Sequence, residues 1–167
     1  MKSVPPLLLA LLVLTAAPLG AKPVAPPIPA PVWTLHDVDG REVKSSQFAG
    51  KVVVVDFWAT WCPPCRTEIP GYIALQKKYA DDVVFVGISV DGDDSIPAVK
   101  AFAKKFGINY LIVMADDEIQ PSFNVNQGYP TTYIIGRDGK IRAKKVGREP
   151  VAVFEKELVA VLSPPAP

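Results

Sequence analysis

Apolar and polar positions along the chain fall into alternating strand-like and helix-like stretches. Val52–Trp58 is a run of β-branched and aromatic residues broken only by Asp56, the pattern of a strand buried on both faces. Residues 83–90 form a second run of this kind. Residues 66–79 place Ile69, Tyr72, Ile73, Leu75 and Tyr79 at spacings that mostly suit one side of a helix. Residues 95–106 repeat that pattern with Ile96, Val99, Phe102, Ala103 and Phe106, and Gly107 ends it. Residues 109–114 predict a further strand and residues 117–123 a short helix. Residues 131–136 and Ile141–Val146 flank the turn Arg137-Asp138-Gly139-Lys140 and predict a hairpin. Val151–Leu162, with Val151, Phe154, Leu158 and Leu162 on its apolar side, predicts a closing helix. Near the start, residues 32–37 and 41–44 flank the turn Asp37-Val38-Asp39-Gly40 and predict two short strands. Strands alternating with helices imply a layered α/β fold with a largely parallel centre.

Length and composition fit one domain. The chain has 167 residues, 49% of them hydrophobic, enough for a proper core. Eighteen basic residues (Lys and Arg) against 17 acidic ones leave a formal net charge of +1, which gives no nucleic-acid groove and no polybasic membrane patch. Lys2 precedes the uncharged apolar run 7–17, which is followed by Pro18-Leu19-Gly20-Ala21. A basic start, a short apolar run and small residues make residues 1–21 a signal peptide for export, with an uncleaved membrane anchor as the alternative. The expected location is periplasmic or secreted. Residues 22–31 are proline-rich and read as an extended linker, residues 32–162 as the domain and residues 163–167 as a tail.

The chemistry-bearing residues follow the first strand. Cys62 and Cys65 are the two cysteines of the chain, separated by Pro63 and Pro64. A Cys-X-X-Cys that leaves a buried strand and opens a helix suits redox work. The free N–H groups and positive dipole end of the helix favour a thiolate at Cys62. Proline costs little there, because those N–H groups have no intrahelical partner. Cys65, one turn later, can close a disulfide with Cys62. A zinc site would need two more ligands, and His36 is the one histidine. A bridge of purely structural purpose would close a very small loop and contribute little. Asp56 interrupts an apolar strand, and a buried carboxylate needs a reason.

The stretch Val55-Asp56-Phe57 followed by WATWCPPC resembles the active-site region of the thioredoxin superfamily. The pattern Trp-Thr-Leu-x-Asp-x-Asp-Gly before Phe-Ala-Gly-Lys-Val-Val-Val-Val is similar to the N-terminal hairpin of the TlpA/ResA-like branch. That resemblance implies a thioredoxin-like fold: a central mixed sheet flanked by helices, an N-terminal β-hairpin and a central inserted strand–helix element between Asp91 and Gly128. It implies a cis peptide before Pro130, which would lie against the Cys62–Cys65 pair. The Tyr129 backbone would then face an extended substrate. It matches Asp56 to the buried acid that assists proton transfer from the second cysteine, and Glu68 to an acidic position of this branch. Gly87 departs from the pattern, since a lysine usually stands there, so Asp56 is expected to lack a cationic neighbour. Glu68 is expected nearer solvent, with a smaller part.

The remaining site expectations are simpler. Trp58 should pack in the core, while Trp61, with Pro63 and Pro64, should belong to the docking surface. Cys62 should be the exposed thiol and Cys65 the shielded one. Arg66 and His36 read as surface residues, and Pro70 is expected to kink its helix. The expected activity is that of a thiol–disulfide oxidoreductase reducing target protein disulfides, in cytochrome c maturation or metal-site assembly by resemblance. Its partners would be disulfide-containing proteins and a membrane thiol-transfer electron donor, with no nucleic acid and no dissociable cofactor. Alternatives are an oxidant or isomerase of secreted proteins, and a non-enzymatic copper-binding chaperone. Peroxide reduction is a third, but Val55 and Ala59 stand where peroxiredoxins want Pro and Thr.

Overall fold

The computed structural model describes residues 28–163. The expected signal peptide, residues 22–27 of the expected linker and the last four residues of the tail lie outside that range. In chain order the elements are β1 (Thr34–His36), β2 (Glu42–Lys44), β3 (Val52–Trp58), α1 (Pro63–Lys78), β4 (Val83–Ser89), α2 (Ile96–Phe106), β5 (Leu111–Met114), α3 (Ile119–Ser122), β6 (Thr131–Ile135), β7 (Ile141–Val146) and α4 (Val151–Leu162). β1 and β2 pair as a separate antiparallel hairpin. The main sheet has the order β5-β4-β3-β6-β7, parallel across β3, β4 and β5 and antiparallel from β3 to β6 to β7. This is the α/β, thioredoxin-like architecture expected from the sequence, and the stretch from Asp91 to Gly128 holds α2 and the strand–helix pair β5 and α3.

β3 is central because both of its faces are apolar, and its alternation sorts the core into two layers. Val53, Val55 and Phe57 pack with Val86, Ile88, Tyr133, Ile119 and Phe123, and with Trp33, Leu35 and Val43 of the N-terminal hairpin region. Val52 and Val54 turn the other way, onto Tyr72 and Leu75 of α1 and Phe154 and Leu158 of α4. Further along that second face, Trp58 packs with Cys62, Cys65, Ile69, Val99 and Phe102, joining α1 and α2. Asp56 has the parity of Val54 and Trp58, so it lies beneath α1 and not beneath the hairpin.

Several boundaries are shorter than the apolar pattern suggests. β5 begins at Leu111 because its parallel pairing with β4 starts there, opposite Val86, while the Asn109 side chain turns away to the Ile73 carbonyl. α3 begins at Ile119 because the Asp116 carboxylate takes the N–H groups of Glu118 and Ile119 just ahead of it. The Asp37 carboxylate likewise organises the β1–β2 turn, accepting from Asp39 N and Arg41 N at 2.8 Å each. The linker also ends earlier than expected. Ile28 O accepts from Ile141 N and Ala30 N donates to Gly139 O, so residues 28–30 run alongside the β6–β7 turn as part of the domain. Among the described residues no helix is long and apolar enough to cross a membrane.

Candidate active site

The site starts where β3 ends. After Trp58 the chain turns through Ala59, Thr60 and Trp61, and Cys62 caps the N-terminus of α1 with extended backbone. Pro63 and Pro64 occupy the first helical positions, where no intrahelical donor is missed. Cys65 N donates to Cys62 Sγ at 3.3 Å, so one free helix-end donor points at the sulfur. Cys62 and Cys65 form a disulfide with their Cα atoms 5.4 Å apart. The expected contrast in exposure is small in this oxidised form. Cys62 is 3% exposed and Cys65 1%, because both sit in the cluster of Trp58, Ile69, Val99 and Phe102.

The second motif reaches the cysteine cluster through Tyr129. The Tyr129–Pro130 peptide is cis, and Tyr129 packs against the cluster that contains both cysteines. Trp61 is 62% exposed, and its ring meets the Tyr129 ring edge-on at 5.9 Å. Pro63 is exposed and Pro64 half-buried. Arg66 is exposed and lies over the stacked rings of Phe102 and Phe106, and His36 is exposed on β1, both as expected. Pro70 falls inside α1, which continues past it to Lys78.

Sequence reasoning missed Asp91. This residue, 6% exposed at the end of β4, accepts from Thr60 N at 2.9 Å and Thr60 Oγ1 at 2.5 Å. Ser89 Oγ adds a third donor at 2.8 Å. Asp91 therefore holds the turn that carries Cys62, and an acid just past the end of a buried strand was its only signal.

Beneath α1 lies a polar network in an apolar layer. Asp56, 4% exposed, accepts from Thr132 Oγ1 at 2.9 Å. Burial pushes its carboxyl up from 3.8 to about 7; the Thr132 hydrogen bond opposes this, the Glu68 charge adds to it and the Lys145 charge lowers it. Gly87 faces Asp56 across the β3–β4 ladder. A Cβ at that position would stand 2.8 Å from the Trp58 indole nitrogen and 3.3 Å from the Tyr110 ring, so no lysine side chain fits.

Two expectations fail here. Glu68 is not near solvent: it is 3% exposed, on the buried α1 stripe with Ile69, Tyr72 and Leu75. Asp56 does not lack a cationic neighbour either. Lys145 of β7 points inward, with its Nζ 2.5 Å from Glu68 Oε1 and 2.8 Å from Tyr72 Oη. Glu68 Oε1 also accepts from Glu149 N at 3.0 Å, which ties α1 to the start of α4. The missed signals were present in the pattern. Tyr72 and Glu68 are four apart on one helix face, and Lys145 shares the half-buried register of β7 with Ile141 and Ala143.

The comparisons with known proteins agree with this geometry. The redoxin family profile matches residues 25–162. The chain belongs to the thioredoxin superfamily, in its ResA-like branch. It is 35% identical over 130 residues to the thioredoxin-like protein YneN of Bacillus subtilis, covering 77% of this chain and 76% of that one. It is 31% identical over 133 residues to the thiol-disulfide oxidoreductase ResA of Geobacillus kaustophilus, covering 79% and 75%. Its fold is similar to a thiol:disulfide interchange protein from Chlorobium tepidum TLS, with a TM-score of 0.76, 37% identity and coverage of 84% and 99%. This ResA-like protein is thus a thiol–disulfide oxidoreductase carrying a Cys62–Cys65 pair. Among its described residues there is no group of three or more His, Cys, Asp or Glu arranged to hold a metal ion.

Proposed function

We propose that the chain acts outside the cytoplasm as a reductant of protein disulfides, with the electrons held on Cys62 and Cys65 and no dissociable cofactor. The observation that carries this reading is the cysteine pair at the α1 N-terminus, with a backbone N–H directed at Cys62 Sγ. In the reduced protein that donor and the helix dipole favour the Cys62 thiolate. The thiolate attacks one sulfur of a substrate disulfide, forming a mixed disulfide and releasing the other substrate sulfur as a thiolate. Cys65 then gives its proton to Asp56 and attacks Cys62 Sγ. The Cys62–Cys65 disulfide forms, the second substrate thiolate leaves, and two electrons have passed to the substrate.

Asp56 suits that proton transfer because it lies beneath α1 and titrates near neutrality. Glu68 contributes through its charge on the same network. Exposed Trp61 and half-buried Tyr129, with Pro63 and Pro64, form the docking rim, and Pro130 lies buried next to Tyr129. Neither the N–H nor the C=O of Tyr129 has a hydrogen-bond partner among the described residues, which leaves both free for an extended substrate segment. The resemblance to ResA-like proteins supports a paired-cysteine substrate, such as the haem-binding cysteines of apocytochrome c or a copper-site pair. In an oxidising compartment the cycle also needs a membrane thiol-transfer donor to return the electrons.

Replacing Cys65 with Ser tests the reading. The variant should accumulate substrate proteins as mixed disulfides on Cys62, and Cys62→Ser should accumulate none. Equilibration with glutathione separates the direction of flow. A potential near that of thioredoxin, about −270 mV, fits a reductant, and one near about −120 mV would assign an oxidant. N-terminal sequencing of the exported protein tests the compartment, with a start at Pro18 or Lys22 expected.

A further inference from the structure

The buried acid has a cation at the far end of a chain of hydroxyls. Lys145 Nζ donates to Tyr72 Oη at 2.8 Å. Tyr72 Oη and Thr132 Oγ1 are 3.1 Å apart, and Thr132 Oγ1 donates to Asp56 Oδ1 at 2.9 Å. An ammonium can only donate, so Tyr72 accepts from Lys145 and must direct its own proton elsewhere. Thr132 Oγ1 at 3.1 Å is a nearer acceptor than Glu68 Oε2 at 3.5 Å. The Thr132 proton is then committed to Asp56. Every donor in the chain points the same way, from the ammonium towards the carboxylate.

We propose that Lys145 is a positioning residue for the reaction: through Tyr72 and Thr132 it acts on Asp56 as a relayed cation, standing in for the lysine that Gly87 excludes, and so sets the pH range in which Asp56 receives the Cys65 proton. Donors aligned in series polarise one another, and in a poorly solvated layer that polarisation is strong. All members are shielded: Tyr72 and Thr132 are each 1% exposed, and the Lys145 side chain is 11% exposed. The surroundings of Asp56 supply no competing cation. β4 presents Gly87, β6 presents Thr132, α1 presents Glu68 and Tyr72, and Tyr110 approaches ahead of β5. Glu149 sits behind Glu68 and adds a further acid. Glu68 pairs directly with Lys145, so beyond its through-space charge Lys145 reaches Asp56 by hydrogen bonds through the two hydroxyls.

This role rests on the redox reading of the cysteine pair, but its test needs no substrate. The titration of the Asp56 carboxyl carbon is followed by NMR in the oxidised protein labelled with 13C-aspartate, the signal being assigned with Asp56→Asn. Removing a donor aimed at a carboxylate favours its protonated form, so the midpoint should rise. Lys145→Met and Tyr72→Phe should each raise it by about one unit. Tyr72→Phe keeps the ring against Phe85 and Phe154 and leaves both the Lys145 and Glu68 charges in place. In the Tyr72→Phe background, Lys145→Met should add less than half of its shift in the parent. Thr132→Val, of nearly the same shape, should suppress the Lys145→Met shift in the same way and serves the cycle if Tyr72→Phe fails to fold. Lys144→Met, on the outward side of β7, should leave the midpoint in place. An unmoved midpoint in Tyr72→Phe, full additivity of the two shifts, or an equal shift in Lys144→Met would overturn the relay. A failure of Cys65→Ser to trap any substrate would instead reject the redox reading and leave the coupling standing.

Discussion

Asp91 grips Thr60 with both carboxylate oxygens, one on the backbone N–H and one on the hydroxyl, at 2.9 Å and 2.5 Å. The turn that presents Cys62 is therefore fastened to the end of β4, across 31 residues of sequence. Hydrogen bonds to a buried charged acceptor are stronger than neutral ones, about 1.5–3 kcal/mol each. Asp91→Ala should lower unfolding stability by about 2–3 kcal/mol. Urea unfolding of the oxidised protein checks this through the midpoint, with an unchanged slope. A loss below about 0.5 kcal/mol would place the grip in solvent-like surroundings.

Asp56 should make the stability of the oxidised protein depend on pH. Its folded carboxyl is raised from 3.8 to about 7 by burial. Between those values the folded protein keeps a proton that the unfolded chain has released. The contribution is full below about pH 4 and is lost as pH rises to about 7, by at most roughly 4 kcal/mol. Asp56→Asn mimics the neutral acid and should flatten that slope. Urea midpoints should then be close for parent and variant below about pH 4, with the variant's higher by an amount that grows up to about pH 7 and stays full at about pH 8.

The same substitution should slow the second chemical step and spare the first. A positioned proton acceptor contributes about 100-fold or more, so the resolving rate should fall by at least about tenfold. Stopped-flow mixing with a disulfide substrate separates formation of the mixed disulfide from its resolution. An unaltered resolving rate would leave Asp56 with a structural part alone.

Gly87→Ala should destabilise by about 1–3 kcal/mol, since its methyl group would press on the Trp58 indole nitrogen at 2.8 Å. Tyr110 closes the other side at 3.3 Å, which limits relaxation. Thermal unfolding measures the loss, and the near-ultraviolet signal of Trp58 should change with it.

Trp61→Ala should leave stability within about 0.5 kcal/mol, because the ring is 62% exposed. Its effect belongs to docking. The expected outcome is a several-fold rise in KM for a protein disulfide and no change for a small disulfide such as oxidised glutathione.

The sequence made the skeleton of the site legible and hid its wiring. Val52–Trp58 could be placed at the centre because every residue but Asp56 is apolar, and Cys62 and Cys65 follow it directly. β7 and α4 matched their apolar patterns at both ends. What stayed hidden depends on partners far away in the chain. Asp56 meets Thr132 across 76 residues, and Lys145 meets Glu68 across 77. Chemical type misled as well: charge suggested solvent for Glu68, whereas its place on the Ile69–Tyr72–Leu75 stripe sets its burial. Gly87 marked a missing cation correctly, but nothing local showed that one would arrive from the opposite edge of the sheet.

The short run Ile28–Ala30 beside the β6–β7 turn sets the direction in which the domain faces. That turn lies at the Val52 end of β3, since β6 pairs antiparallel with β3 from Thr131 at Phe57 to Ile135 at Val53. Cys62 follows the other end, past Trp58. Seven strand residues separate the two poles by roughly 20 Å. Whatever precedes Ile28 joins the molecule at the pole farthest from its sulfurs. A pull or a fixed attachment applied at Ile28 acts on the end of the domain opposite the disulfide, like a hand on the grip of a probe whose tip is Cys62.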